Sequence, residues 1–203
     1  MAKLYFRYGA MNSGKSTALM QVAHNYEEQG MRVLILKPKV DTKGSGDLVS
    51  RLGVRRPADL LVPPDMDLVE AVRAASSEGR PLACVLCDES QFLTAEQAEQ
   101  LFMVTVELNI PVICYGLRAD FKGDLFPGSY HLLVLADKLE EVKTICWCGK
   151  KAAFNARFDA QGHVVKQGAQ VVIGANDQYI GLCRKHWMLG DLGPDFNGQG
   201  TGD

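Results

Sequence analysis

The residues Gly9-Ala10-Met11-Asn12-Ser13-Gly14-Lys15-Ser16-Thr17 constrain this chain more than any other stretch of it. Two glycines with four residues between them, followed by Lys and Ser, let the backbone curl so that successive N–H groups point inward at phosphate oxygens. The apolar run Lys3 to Tyr8 stands immediately before the loop and reads as a strand. Lys15 to Gln29 follows as a helix, with Gly30 as its stop signal and its positive N-terminal end added to the anion site. In such a unit Lys15 neutralises the outer phosphates and Ser16 offers its hydroxyl to Mg²⁺. The stretch from Gly9 to Thr17 is therefore the expected seat of a ligand's phosphates.

Up to about residue 143, short apolar runs alternate with longer amphipathic segments, the pattern of parallel strands joined by crossover helices. Strands are expected at Lys3 to Tyr8, Arg32 to Lys37, Leu82 to Cys87 and Pro111 to Tyr115. Helices are expected at Asp67 to Ser77 and Ser129 to Asp137, and after the capping box Thr94-Ala95-Glu96-Gln97. That last helix puts Ala98, Leu101, Phe102, Thr105 and Leu108 on one face, as packing on a sheet requires. The reading is an α/β fold: a P-loop, RecA-like parallel sheet flanked by helices over residues 1–143.

Beyond residue 143 the pattern changes to short strand-like pieces separated by glycines: Thr144 to Cys148, Phe154 to Phe158, His163 to Val165 and Gln170 to Ile173. These describe a small β domain of hairpins over residues 144–189. The glycine-rich stretch from Gly190 to Asp203 has little to bury and reads as a disordered tail over residues 190–203.

Two further constellations carry chemistry. The run Leu82-Ala83-Cys84-Val85-Leu86-Cys87-Asp88-Glu89-Ser90-Gln91 is a buried strand ending in adjacent carboxylates. In a phosphate-loop fold this strand is expected beside the first, bringing Asp88 to the Mg²⁺ site, directly or through water, together with Ser16. Neighbouring side chains at a strand end diverge, so Glu89 is free to accept a proton from an attacking hydroxyl or water. The second constellation is Cys146-Trp147-Cys148 with Cys183 and His186: three thiols and an imidazole, a closed tetrahedral set suited to structural Zn²⁺. Cys84, Cys87 and Cys114 lie in strand-like apolar runs and are expected to be core residues. His24, His131 and His163 have no convergent partners in the sequence and read as ordinary surface or packed residues.

Composition excludes other classes. With 22 basic against 24 acidic residues and no long basic block, nucleic acid is not favoured as a partner. No run of about 18 apolar residues occurs, so no membrane span is expected, and the N-terminus lacks the apolar core of a signal peptide. A cytoplasmic location follows as the expectation.

Taken together, the loop at residues 9–17, Asp-Glu-Ser-Gln-Phe at 88–92, Tyr-Gly-Leu-Arg-Ala-Asp-Phe at 115–121 and Val-Ile-Gly-Ala-Asn-Asp-Gln-Tyr at 172–179, before Cys-Arg-Lys-His, resemble the zinc-containing thymidine kinase family. The resemblance runs in order over residues 3–187. It implies transfer of the ATP γ-phosphoryl group to the 5′-hydroxyl of thymidine, with Glu89 as catalytic base, Asp88 serving Mg²⁺ and Gln91 among the nucleotide-binding residues. It also implies a lasso loop projecting from the zinc domain, here Gln170, Val171, Val172, Ile173 and Gly174 with Tyr179 nearby, which grips the base through main-chain groups. Phe121 matches an aromatic that packs on the base, and Leu117 and Met11 line the pocket near its methyl group. A homotetramer and feedback inhibition by thymidine triphosphate are further implications of the resemblance.

The chain departs from the family pattern at Asp41-Thr42-Lys43, where the family often carries Asp-x-Arg, so Lys43 is left out of the expected site. Two other classes remain: a nucleic-acid-coupled phosphate-loop ATPase, which would want a basic surface, and a non-catalytic nucleotide-binding protein, which leaves Glu89 unexplained.

Overall fold

The computed structural model describes residues 1–39, 46–50, 53–171 and 178–197. Its elements are β1 (Leu4–Tyr8), α1 (Lys15–Glu28), β2 (Arg32–Pro38), the hairpin β3 (Asp47–Val49) and β4 (Arg55–Pro57), β5 (Leu60–Val62), α2 (Leu68–Ser77) and β6 (Leu82–Cys87). A 3₁₀ turn at Ser90–Phe92 then leads to α3 (Ala95–Glu107), β7 (Val112–Gly116), α4 (Pro127–Leu135) and β8 (Lys138–Glu141). The remainder comprises β9 (Thr144–Ile145), β10 (Lys151–Ala152), β11 (Phe154–Phe158), β12 (Val164–Val165), β13 (Gln178–Leu182), α5 (Arg184–Leu189) and α6 (Pro194–Asn197).

Among the described residues the main sheet has six strands in the order β5-β2-β6-β7-β1-β8, all pairings parallel. Alternation along each strand splits the core in two. Leu4, Phe6, Leu34, Leu36, Val85, Cys87, Val112 and Cys114 face the side covered by α2, α3 and α4. Val33, Ile35, Cys84, Leu86, Ile113 and Tyr115 face α1 through Leu19, Met20 and Ala23. The three strand cysteines are fully buried, as expected of small hydrophobes, and burial pushes the Cys84 thiol up to about 12.

The capping box that opens α3 forms in full: Gln97 N donates to Thr94 Oγ1 at 3.1 Å and Thr94 N to Gln97 Oε1 at 3.3 Å. α4 starts two residues earlier than expected because Pro127 presets the helical φ at its first position. It stops short of Asp137, whose carboxylate accepts from Leu4 N at 2.8 Å. The expectation that the Asp88 strand lies beside the first strand is corrected: β7 stands between β6 and β1.

After Glu141 the chain leaves the main sheet and builds the hairpin β9–β10 and the three-stranded antiparallel sheet β12-β11-β13. No strand forms at Gln170–Val171; the third strand of this sheet is β13, which the sequence reading missed. The expected disordered tail is also corrected through Asn197, since Leu192 is 3% exposed within the core of this module and α6 follows it. Residues 198–203 lie outside the described residues. No helix among the described residues is long and apolar enough to cross a membrane.

Candidate active site

The phosphate loop closes at the C-terminal end of β1. A Cβ on Gly9 would lie 2.5 Å from Val142 O and 2.6 Å from Ser13 Oγ, so only glycine fits between the loop and the end of β8. Asn12 and Gly14 take left-handed conformations, at φ 65° and 83°, which turn the loop back on itself before α1 begins. Lys15, Ser16 and Thr17 form the first turn of that helix. The Lys15 side chain folds back over the loop, its Nζ donating to Ala10 O at 2.8 Å and more weakly to Ser13 Oγ at 3.3 Å and Gly9 O at 3.4 Å. Burial lowers the Lys15 pKa, and the charges of Glu89 and Asp88 oppose that shift.

Although β7 separates their strands, Ser16 Oγ donates to Asp88 Oδ2 at 2.9 Å. Asp88 is 3% exposed; burial, then repulsion from Glu89, raises its carboxyl to about 6 against the opposing bond from Ser16. A buried carboxylate paired with a serine hydroxyl beside a phosphate loop is a donor set that fits a hard divalent cation. Glu89 is half-buried, with a left-handed backbone at φ 50°. Its Oε2 accepts from Gln91 Nε2 at 2.5 Å, and Gln91 Oε1 accepts from Leu117 N at 2.9 Å. Gln91, expected among the nucleotide-binding residues, uses both ends of its buried amide to tie Glu89 to the end of β7.

Leu117 and Phe121 are both buried in the loop after β7. Asp120 shapes that loop by accepting from Lys122 N at 2.8 Å and Asp124 N at 3.0 Å. The Arg157 guanidinium lies over the Phe121 ring, 5.0 Å from its centroid. Gln170 Nε2 reaches Asp120 Oδ2 at 3.2 Å and Leu125 O at 3.3 Å, and Ala169 O accepts from Arg157 Nη1 at 3.2 Å. The loop after β7 and the approach to the expected lasso are thus tied together. Val171 is partly exposed; Val172, Ile173 and Gly174 lie outside the described residues, as do Lys43 and Arg51. Tyr179 stands in β13 opposite Arg157.

Asn155 was not anticipated. Its Oδ1 accepts from Met11 N at 2.8 Å and its Nδ2 donates to Ala119 O at 2.9 Å, so one side chain of β11 joins the phosphate loop to the loop after β7. Trp187 Nε1 reinforces the junction by donating to Asn155 O at 2.9 Å and Phe121 O at 3.1 Å. The available signal was a polar pair, Asn155 and Arg157, at strand spacing between Phe154 and Phe158.

Cys146, Cys148, Cys183 and His186 converge so that their ligand atoms all lie within 4.8 Å of one another. Cys146 Sγ and Cys183 Sγ stand 3.3 and 3.5 Å from His186 Nδ1, and Cys148 Sγ stands 3.9 Å from Cys183 Sγ. Bonds of about 2.3 Å to sulfur and about 2.0 Å to nitrogen in a tetrahedron give edges of about 3.5 to 3.8 Å, so the donor set fits Zn²⁺. The backbone N–H of His186, at the start of α5, lowers the Cys183 pKa, whereas burial raises that of Cys146. The other histidines sit in pairs with carboxylates: His24 with Glu28, His131 with Glu99 and His163 with Asp159.

Comparison with known proteins agrees in extent as well as in motif. A family model described as thymidine kinase matches residues 2–187. A thymidine kinase of Ruegeria pomeroyi is 50% identical over 200 residues, covering 98% of this chain and all of the relative. Thymidine kinases of Yersinia pseudotuberculosis and Shewanella oneidensis are 50% and 49% identical over 188 residues, covering 92% of this chain and 95% and 97% of theirs.

Proposed function

Because the chain belongs to the thymidine kinase family, whose members phosphorylate thymidine with ATP, we propose that it transfers the γ-phosphoryl group of ATP to the 5′-oxygen of thymidine, with Glu89 as general base. The observation that carries this reading is the orientation of Glu89. It stands beside a phosphate loop, its charge acts on Lys15, and Gln91 clamps it from the side of β7.

In this mechanism the backbone of Gly9 to Gly14 and the side chain of Lys15 hold the phosphates of ATP. Lys15 leaves its intramolecular carbonyl partners to reach them. Ser16 and Asp88 are the residues that would hold Mg²⁺, which when bound neutralises charge on the outer phosphates. Glu89 takes the proton of the 5′-hydroxyl as its oxygen bonds to the γ-phosphorus and the bond to the β-phosphate oxygen breaks, giving thymidine monophosphate and ADP. Phe121, stiffened by Arg157, and Leu117 form the apolar wall against the base. The segment entered at Gln170 and left at Tyr179 closes the opposite side through main-chain contacts. Zn²⁺ at the Cys146 site would supply no chemistry; it would cross-link the segment Cys146–Cys148 to the start of α5 and so hold β11 and β13 in place. The same reading includes a homotetramer, a cytoplasmic location and inhibition by thymidine triphosphate.

The test is phosphoryl transfer from labelled ATP with Mg²⁺ to thymidine, deoxyuridine, deoxycytidine, deoxyadenosine and deoxyguanosine, beside a reaction with single-stranded DNA alone. Monophosphate forms mainly from thymidine. Deoxyuridine is a poorer acceptor by about tenfold or more, because one methyl group in an apolar pocket is worth roughly 1–3 kcal/mol. DNA-stimulated phosphate release without nucleoside phosphorylation would overturn the reading.

A further inference from the structure

The family match ends at residue 187, yet the chain continues in order to Asn197, and those residues fold back onto the zinc-type site. Gly190, left-handed at φ 68°, ends α5, and Asp191 N bonds His186 O at 2.9 Å, which turns the backbone toward the tight Cys146-Trp147-Cys148 knuckle. There Trp147 Nε1 donates to Asp191 O at 3.2 Å, and the Trp147 ring stacks on the His186 imidazole with centroids 4.2 Å apart and planes at 15°. Gly193 lies so close that a Cβ would sit 2.9 Å from Trp147 Cγ, and its φ of 107° is one that side chains rarely adopt. Leu192 is buried with Cys146, Cys183 and Leu182. Phe196 packs edge-on against Phe158 at 4.9 Å, on the residue of β11 that pairs with Gln178 where β13 begins.

These contacts touch two parts of the module at once. One end of the segment presses on the indole that covers a metal ligand, and the other braces the first pair of the β11–β13 ladder, next to the pair Arg157 and Tyr179. We propose that residues 191–197 are a clasp: through Gly193 they lock Trp147 over His186 and slow metal loss from the cysteine–histidine site, and through Phe196 they hold β13 in register for nucleoside binding. Partners that orient a metal ligand from outside are typically worth 10–100-fold in metal affinity. The second half of the proposal rests on the nucleoside-binding reading; the first does not.

The experiment compares the full chain with Gly193→Val, with Phe196→Ala, with a chain ending at Gly190 and with one ending at Asn197. Zinc transfer to a chromogenic chelator is followed under native conditions, together with KM for thymidine and for ATP. Gly193→Val releases zinc about tenfold or more faster. Phe196→Ala raises the thymidine KM while leaving the ATP KM unchanged, and the chain ending at Gly190 does both. The chain ending at Asn197 matches the full chain. Unchanged zinc release in Gly193→Val overturns the clasp whatever the substrate. Faster release with no thymidine effect in any variant keeps the metal half and overturns the coupling to nucleoside binding. Should the Gly190 truncation fail to fold, the two point variants decide both halves.

Discussion

Asn155 Oδ1 accepts a hydrogen bond from the backbone N–H of Met11 at 2.8 Å, and through it the β module after residue 143 holds the loop that would carry the phosphates. The same amide donates to Ala119 O, in the loop that presents Phe121, so donor and acceptor halves of the site share one buried side chain, 5% exposed. Removing it leaves a donor and an acceptor without their partner, each worth about 1–3 kcal/mol when buried. Asn155→Ala is expected to lower the free energy of unfolding by about 2 kcal/mol in urea titrations and to raise KM for both ATP and thymidine.

Glu89→Gln keeps the shape and the contact with Gln91 but cannot take a proton. Turnover should fall roughly 100-fold or more, while ATP affinity, measured by calorimetry, stays close to that of the native chain. Native turnover in this variant would remove Glu89 as the base.

The Asp88 carboxyl, raised to about 6 from 3.8, titrates differently in the folded and unfolded chain. The folded state holds the proton more tightly, so its stability increases as pH falls from 8 to 5 and is lost as pH rises through about 6. In buffer without magnesium, Asp88→Asn should therefore stabilise the fold most at pH 8. Its advantage should shrink by about 1 kcal/mol at pH 5, read from denaturant melts at the two pH values. Saturating ATP and Mg²⁺ should reverse the order at pH 8, because a cation repays the buried charge that Asn lacks.

Cys183→Ala removes the thiol that lies closest in sequence to His186. The purified variant should contain much less than one zinc per chain by atomic absorption, and its thymidine KM should rise more than its ATP KM. Full zinc retention would contradict the ligand set.

What could be read from the sequence were features whose physics is local. The phosphate loop is legible because its glycines, Lys15 and Ser16 act within one strand-to-helix turn. The α3 capping box is legible because Thr94 and Gln97 satisfy each other's backbone. The strands β2, β6 and β7 are legible because burial on both faces demands apolar runs, and β1 because it leads straight into the phosphate loop. The short strand β13 was not, since Gln178-Tyr179-Ile180-Gly181-Leu182 carries a weak pattern, and it forms because β11 is there to pair with it.

The chemistry-bearing residue types and their order were likewise determined by the sequence: the loop at 9–17, Asp88 with Glu89, and the set of three cysteines and a histidine. Tertiary structure alone decided which of them meet. It put β7 between β6 and β1 and still brought Ser16 to Asp88, turned Gln91 into the clamp on Glu89, made Asn155 the joint between two loops, and drew Leu192 and Gly193 out of an apparently featureless tail. Each of these depends on groups distant along the chain finding partners only after the core has closed. An unpaired polar group or a bare glycine backbone carries no signal in sequence until packing supplies its neighbour.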